Sequence, residues 1–144
     1  MRTVDSRRIA QGLLLASLAC QIFWVGREAW DPPPDFNDDV LHAALARACA
    51  RAWRAGADPT DPWLVPTGFG FPLAHHYQHL LHVGVGGLSA LTAAPVEALL
   101  RWTVALALVL LPVSLAWSLR RVGASVAVAC SAGALVPLVS TPSL

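Results

Sequence analysis

Apolar and polar positions divide this chain into segments of different character. After Arg2, Arg7 and Arg8, an apolar run extends from Ile9 to Val25 and gives way at Gly26, Arg27 and Glu28. Its length is at the short end for a transmembrane helix. Three consecutive prolines, Pro32 to Pro34, then forbid helix and hold the chain extended. From Asp38 the apolar positions return at helical spacing. Val40, Leu41, Ala44, Leu45, Ala48, Cys49, Ala52 and Trp53 share one side, and Arg47, Arg51 and Arg54 mark the other. Asn37 suits the N-cap, Asp38 and Asp39 suit the positive end of a helix, and Gly56 and Pro59 close the far end. The pattern predicts an amphipathic helix over 38–55, lying along a membrane surface or packed on a bundle.

From Ala57 to Pro72 proline and glycine are dense, so this stretch is predicted to be irregular, with Trp63, Phe69 and Phe71 at interface depth. The apolar stretch Leu80 to Ala94 would measure only roughly 22 Å as a helix at 1.5 Å per residue. That is too short to cross a bilayer, so residues 79–94 are expected to form a re-entrant or interfacial helix. Two further apolar runs, 102–119 and 122–139, are expected to span. The predicted fold is therefore all-α and integral to a membrane: about three transmembrane helices (9–25, 102–119, 122–139) and an outer loop, 26–78, carrying the surface helix. The 144 residues read as one membrane region, and the end at Ser140 to Leu144 reads as that of a fragment or the first part of a larger protein.

Composition agrees, with 56% hydrophobic and 13% charged residues and a mean hydropathy of +0.55, outside the usual soluble range. All ten basic residues are arginine and the net charge is only +1, so no basic nucleic-acid surface is indicated. The three cysteines are far apart and indicate neither a disulfide framework nor a metal knuckle. The charged start and leucine-rich centre of the first run would also suit a cleaved signal peptide. However, Ile22 to Val25 continue the run, and Ser17 stands where a lipoprotein site usually carries leucine. An uncleaved anchor is the expectation. By the positive-inside rule, the early arginines and Arg120-Arg121 lie in the cytoplasm, and the loop from Gly26 to Gln78, with seven acids against four arginines, lies outside.

Three groups of residues could carry chemistry. Asp38 and Asp39 open a helix just after a span, where the dipole keeps acids ionised and able to accept protons or bind metal; helix capping alone is the alternative. His75, His79 and His82 recur at four and three, with His76 beside them, and would share a face if helix began at Pro72. A metal site needs three or four converging ligands, and His42 or Asp38 could supply another; interfacial hydrogen bonding is the alternative role. Arg47, Arg51 and Arg54 could hold a phosphate or form a solvated face. Gly84-Val-Gly-Gly87 lies in an apolar stretch after no strand and is not a phosphate loop.

A first span, an outer loop in which an Asp pair opens an amphipathic helix, and the segment GFGFPLAHHYQHLLH resemble the start of the GT-C superfamily of polytopic membrane glycosyltransferases. More narrowly, the chain is similar to bacterial membrane proteins whose label mentions 6-pyruvoyl-tetrahydropterin synthase, although no such soluble enzyme is visible in it. In GT-C enzymes the first acid of the outer-loop motif acts on the acceptor. The resemblance therefore implies Asp38 as general base and Asp39 as helper or metal ligand. Asp38 stands four residues before His42, as in the narrower group's D-x-x-x-H pattern. Gly70, Phe71, Pro72 and Tyr77 match its G-[FY]-P-x-x-x-x-Y, while His79 stands where a proline is common. The resemblance further implies that His42, Arg47, Tyr77, His75 and His76 contact substrate. A divalent metal, if used, would sit on Asp38, Asp39 and His79. The implied activity is transfer of a sugar from a polyprenyl-phosphate donor at the outer face of a bacterial inner membrane, with the bilayer and the rest of a parent chain as partners. The rival expectation is a non-catalytic membrane protein or assembly subunit in which the acids cap a helix.

Overall fold

The computed structural model describes residues 5–30, 38–62 and 79–140. Five helices and no strand occur among them: α1 (Ser6–Trp30), α2 (Asp38–Ala55), α3 (Leu80–Thr92), α4 (Val96–Arg121) and α5 (Val126–Ser140). They fall into two compact units, Met1–Asp31 with Val104–Leu144, and Pro32–Thr103.

The first unit holds α1, most of α4, and α5. Asp5 caps α1, its carboxylate accepting the Arg7 amide at 3.0 Å. At 25 residues α1 outruns the predicted 9–25 at both ends. Arginine and glutamate at a membrane border do not stop a helix, because their stems snorkel, and one glycine costs only about 1 kcal/mol. α4, with 26 residues, likewise exceeds the predicted 102–119. Both helices are long and apolar enough to cross a membrane, and only 11% of each apolar window is buried within the chain. α5 has 15 residues where a span over 122–139 is predicted. The difference arises because α4 continues to Arg121 and the chain turns through Gly123 at φ +92°, so the turn consumes the start of the predicted span.

Residue size is sorted as it is in lipid. Ala10, Ala29, Ala105, Ala116 and Ala129 are buried, while Ile9, Leu13, Leu15, Ile22, Phe23, Leu106 and Leu110 face outward. Without a hydrophobic drive between helices, small residues that permit close approach form the contacts. Gly133 provides one such contact, since a Cβ there would lie 2.6 Å from the Pro112 carbonyl oxygen. Pro112, inside α4, has no N–H to give the carbonyl of Leu108. The Gln21 side chain replaces the missing donor, its Nε2 reaching the Leu108 carbonyl at 2.8 Å. Ser17 Oγ donates to the Ala134 carbonyl of α5 at 3.0 Å. In hydrocarbon an unmade backbone bond costs several kcal/mol, so Gln21 is a structural polar residue of this unit.

The second unit pairs α2 with α3 and the first turns of α4. The predicted helix over 38–55 matches α2, and Gly56 ends it at φ +66° with the Ala57 amide bonding back to the Ala52 carbonyl at 2.9 Å. Asp58 then accepts from the Thr60 amide at 2.8 Å and the Thr60 hydroxyl at 2.6 Å. The expected apolar face is buried in part: Leu45 and Cys49 are fully buried, Leu41 partly, and Arg47 and Arg51 are exposed, but Val40 and Trp53 of the predicted stripe are exposed and Ala46 and Ala50, outside it, are buried. Ala46, Ala50, Val85 and Val96 form its core, with Leu99 and Leu100 against them. At the crossing, a Cβ on Gly86 would come within 2.7 Å of Cys49 Cβ and 2.8 Å of the Ala50 nitrogen. The side-chain pairs joining the helices rise together in number, from His42 with His82 to Arg54 with Ser89, so α2 and α3 run parallel. A parallel pair needs a long return connection, and residues 56–79 supply it.

Burial pushes the Cys49 thiol up to about 11, so at neutral pH it is protonated as well as covered. Cys49 is therefore expected to resist alkylation in the folded protein. Gly86→Leu, which drives side-chain atoms into the α2 backbone, should accelerate alkylation about tenfold or more, the equivalent of 1.4 kcal/mol within the usual overpacking range. Gly84→Leu, at a glycine with nothing within 4 Å of its added Cβ, should not. Timed labelling with a maleimide in detergent, with mass readout, measures both.

Candidate functional site

The second unit brings together two histidines 40 residues apart in sequence. His82 lies one turn before Gly86 on α3 and is 1% exposed; His42 lies one turn into α2 and is half-buried. The close approach at Gly86 sets the two rings against each other, with His42 Nδ1 2.8 Å from His82 Nε2. The ring planes differ by 9° and the centroids are 5.1 Å apart. The centroid separation exceeds the nitrogen separation by about one ring width, so the rings meet edge to edge in a common plane rather than face to face. One nitrogen donates and the other accepts, and this couples the tautomers. In a neutral pair, the proton on His42 lies on Nδ1 or on Nε2 according to which ring donates.

Two of the three arginines of α2 bind protein groups and do not simply form a solvated face. Arg47 pairs with Glu97 at the start of α4 through both Nε and Nη2, and Arg101, one turn along α4, adds a second positive charge near that carboxylate. Arg54 Nη2 reaches the carbonyl and the hydroxyl of Ser89, each at 3.2 Å, placing a cation at the C-terminal end of α3 where the helix dipole favours it. Ser89 Oγ donates onward to the Ala94 carbonyl at 2.8 Å. Trp53 covers Gly87 and donates from Nε1 to the Val83 carbonyl at 3.2 Å.

The predicted site residues divide accordingly. Asp38 and Asp39 open α2 as expected, but their side chains lie outside the described residues, as do Tyr77, His75 and His76. His42 is tied to His82 and Arg47 to Glu97. His79 stands at the N-cap of α3, and His82 meets His42 across the helix pair. No three His, Cys, Asp or Glu side chains converge among the described residues. Glu97, Ser89, Trp53 and Gly86 carry the architecture of the site without having been singled out for it. Glu97 had a usable signal, an acid two residues after Pro95 at a helix start. Ser89 and Gly86 had none within their own segment.

Comparison with known proteins finds no matching family model, no curated relative and no similar solved structure.

Because His82 is fully enclosed and His42 is not, the two halves of the pair should differ in weight. His82→Ala leaves a cavity and removes the bond to His42, and is expected to cost about 2 kcal/mol or more. His42→Ala should cost about 1 kcal/mol. Thermal unfolding of the two single variants and the double variant in detergent measures this, and a double variant less destabilised than the sum of the singles would report their direct coupling.

Proposed function

We propose that the chain belongs to a multi-pass protein of the bacterial inner membrane, with its N-terminus in the cytoplasm, that transfers a sugar from a polyprenyl-phosphate donor at the extracytoplasmic face with inversion at the anomeric carbon. The observation that supports this reading best is the start of α2. It opens with Asp38 and Asp39, and one turn later carries His42, whose ring is fixed in orientation by buried His82.

In this reading Asp38 is the general base that takes the acceptor proton, kept ionised by the positive end of α2. Asp39 assists or holds a metal. His42, half-buried one turn along α2, contacts the acceptor, its ring oriented by the bond to His82. Tyr77, His75 and His76 contact the sugar or its phosphate. Arg47 shares its charge between Glu97 and the donor phosphate, and Arg101 beside them offsets the carboxylate. The two apolar helices α1 and α4 are long enough to cross a bilayer, and their outward-facing large side chains support lipid as their solvent. The trailing Arg120 and Arg121, with the Arg121 guanidinium 5.0 Å above the Trp117 ring, suit a cytoplasmic interface.

Sidedness is tested by single cysteines in a variant lacking Cys20, Cys49 and Cys130. Asp58→Cys should react with an impermeant maleimide from the periplasmic side and Arg121→Cys only after permeabilisation; labelling of both from one side would sink the topology. For the chemistry, Asp38→Asn keeps the helix start and its shape but removes the base. In the full-length protein it is expected to lower sugar transfer by on the order of 10²-fold to 10⁴-fold. Asp58→Asn, which can still accept the Thr60 bonds, should change it little. Consumption of polyprenyl-linked sugar in isolated membranes is the readout. Turnover of Asp38→Asn at the parent rate would leave capping as the role of the acid pair and favour a non-catalytic membrane subunit.

A further inference from the structure

We infer that a groove between α1 and α5 holds one acyl chain of a phospholipid whose head group ends in a primary ammonium. The inference rests on α1 as a membrane helix and is separate from sugar transfer. A stripe of α1 from Leu13 to Glu28, at steps of three and four residues, forms one wall of the groove. Residues of α5 form the other wall, and Leu108 of α4 adds to the lining. Most of the lining is apolar, and Ser17 and Gln21 within it donate to the Ala134 and Leu108 carbonyls.

Size selects among the occupants. The groove measures about 720 Å³, and at 1.5 Å per residue it runs about 22 Å along α1, which leaves it about 6 Å across. A helix with its side chains is about 10–12 Å wide and does not fit. One alkyl chain does, since carbons in contact lie about 4 Å apart.

Charge at one end selects the head group. The groove reaches Glu28, beyond the apolar run that closes at Val25, where head groups begin. Glu28 is exposed and has no hydrogen bond or ion pair among the described residues. Arg27 beside it carries its guanidinium 5.9 Å from the centre of the Trp24 ring, and Trp24 lines the groove. A phosphate followed by an ammonium matches this pair sign for sign, the phosphate at Arg27 and the ammonium at Glu28. A choline head carries the same charges but no N–H to give the carboxylate. A head group that is only anionic leaves Glu28 facing like charge.

The test uses the whole chain, purified in a neutral detergent. Native mass spectrometry counts bound lipid while dioleoyl phosphatidylethanolamine, its choline counterpart or its glycerol counterpart is titrated. The expected result is one ethanolamine lipid per chain, bound about tenfold more tightly than either of the others. Glu28→Gln keeps the size of the side chain and removes its charge, and should bring the ethanolamine and choline lipids within about twofold of each other. Ala16→Phe fills the groove and should weaken both about tenfold. Equal binding of ethanolamine and choline lipids by the parent chain, or binding that Ala16→Phe leaves unchanged, would overturn the assignment. So would a dimer free of lipid, which would give the groove to a second copy. Thermal unfolding verifies the fold of each variant, and should Ala16→Phe not fold, Glu28→Gln carries the test alone. Because no sugar donor or acceptor is present, the outcome is independent of whether Asp38→Asn affects transfer.

Discussion

The missing side chain at Gly86 is the constraint on which the second unit depends. With hydrogen there, α3 approaches α2 until the position of a Cβ would overlap Cys49 and the Ala50 backbone. Every polar link across the pair requires that approach: the His42–His82 bond, the Trp53 bond to the Val83 carbonyl, and the Arg54 bonds to Ser89. The magnitudes decide which is cause and which is consequence. Each hydrogen bond contributes on the order of 1 kcal/mol net, whereas one misplaced side chain at the crossing costs about 1 to 3 kcal/mol and breaks all of them at once. Packing therefore sets the geometry, and the polar groups report it.

The first unit answers to a different constraint, a break in a backbone ladder. The proline within α4 leaves the Leu108 carbonyl without its helical donor, a fault that another group must repair. Gln21 on α1 makes that repair on α4, and Ser17, one turn earlier, links α1 to α5. Both residues would look out of place in an apolar run. The same run places Ile, Leu and Phe outward and Ala inward, the reverse of a water-soluble core. Polar bonds and small-residue contacts thus hold this unit together.

This division explains what could be read in advance. α2 was legible because its signals are local: acids at one end, glycine at the other, and an apolar stripe between. The apolar run of α1 was legible from hydropathy, but the ends of the helix were not, because Gly26, Arg27 and Glu28 end the run and not the helix, which continues to Trp30. α5 fell short of its predicted start because the turn at Gly123 depends on how far α4 continues, which the apolar pattern of 122–139 does not encode. In the candidate site, the histidine spacing pointed along one helix, while the partner of His82 is 40 positions away on another. Nothing within either segment specifies that meeting. Gly84-Val-Gly-Gly87 was legible only as what it is not, and its use is close packing: Gly86 against α2, Gly87 under Trp53.

These two kinds of residue, local and long-range, meet at the start of α2. The acids Asp38 and Asp39 belong to their helix by sequence alone, but a site needs a neighbouring group held at a known angle, and α2 cannot hold one by itself. An isolated imidazole on a helix surface samples several rotamers, and ordering it costs a fraction of the energy that any one hydrogen bond returns. Buried His82 removes that freedom from the His42 ring, and it can do so because its own position is fixed by the glycine contact one turn away. The orientation of the His42 ring is thus determined on α3. A substitution at Gly86 reaches that ring without touching it.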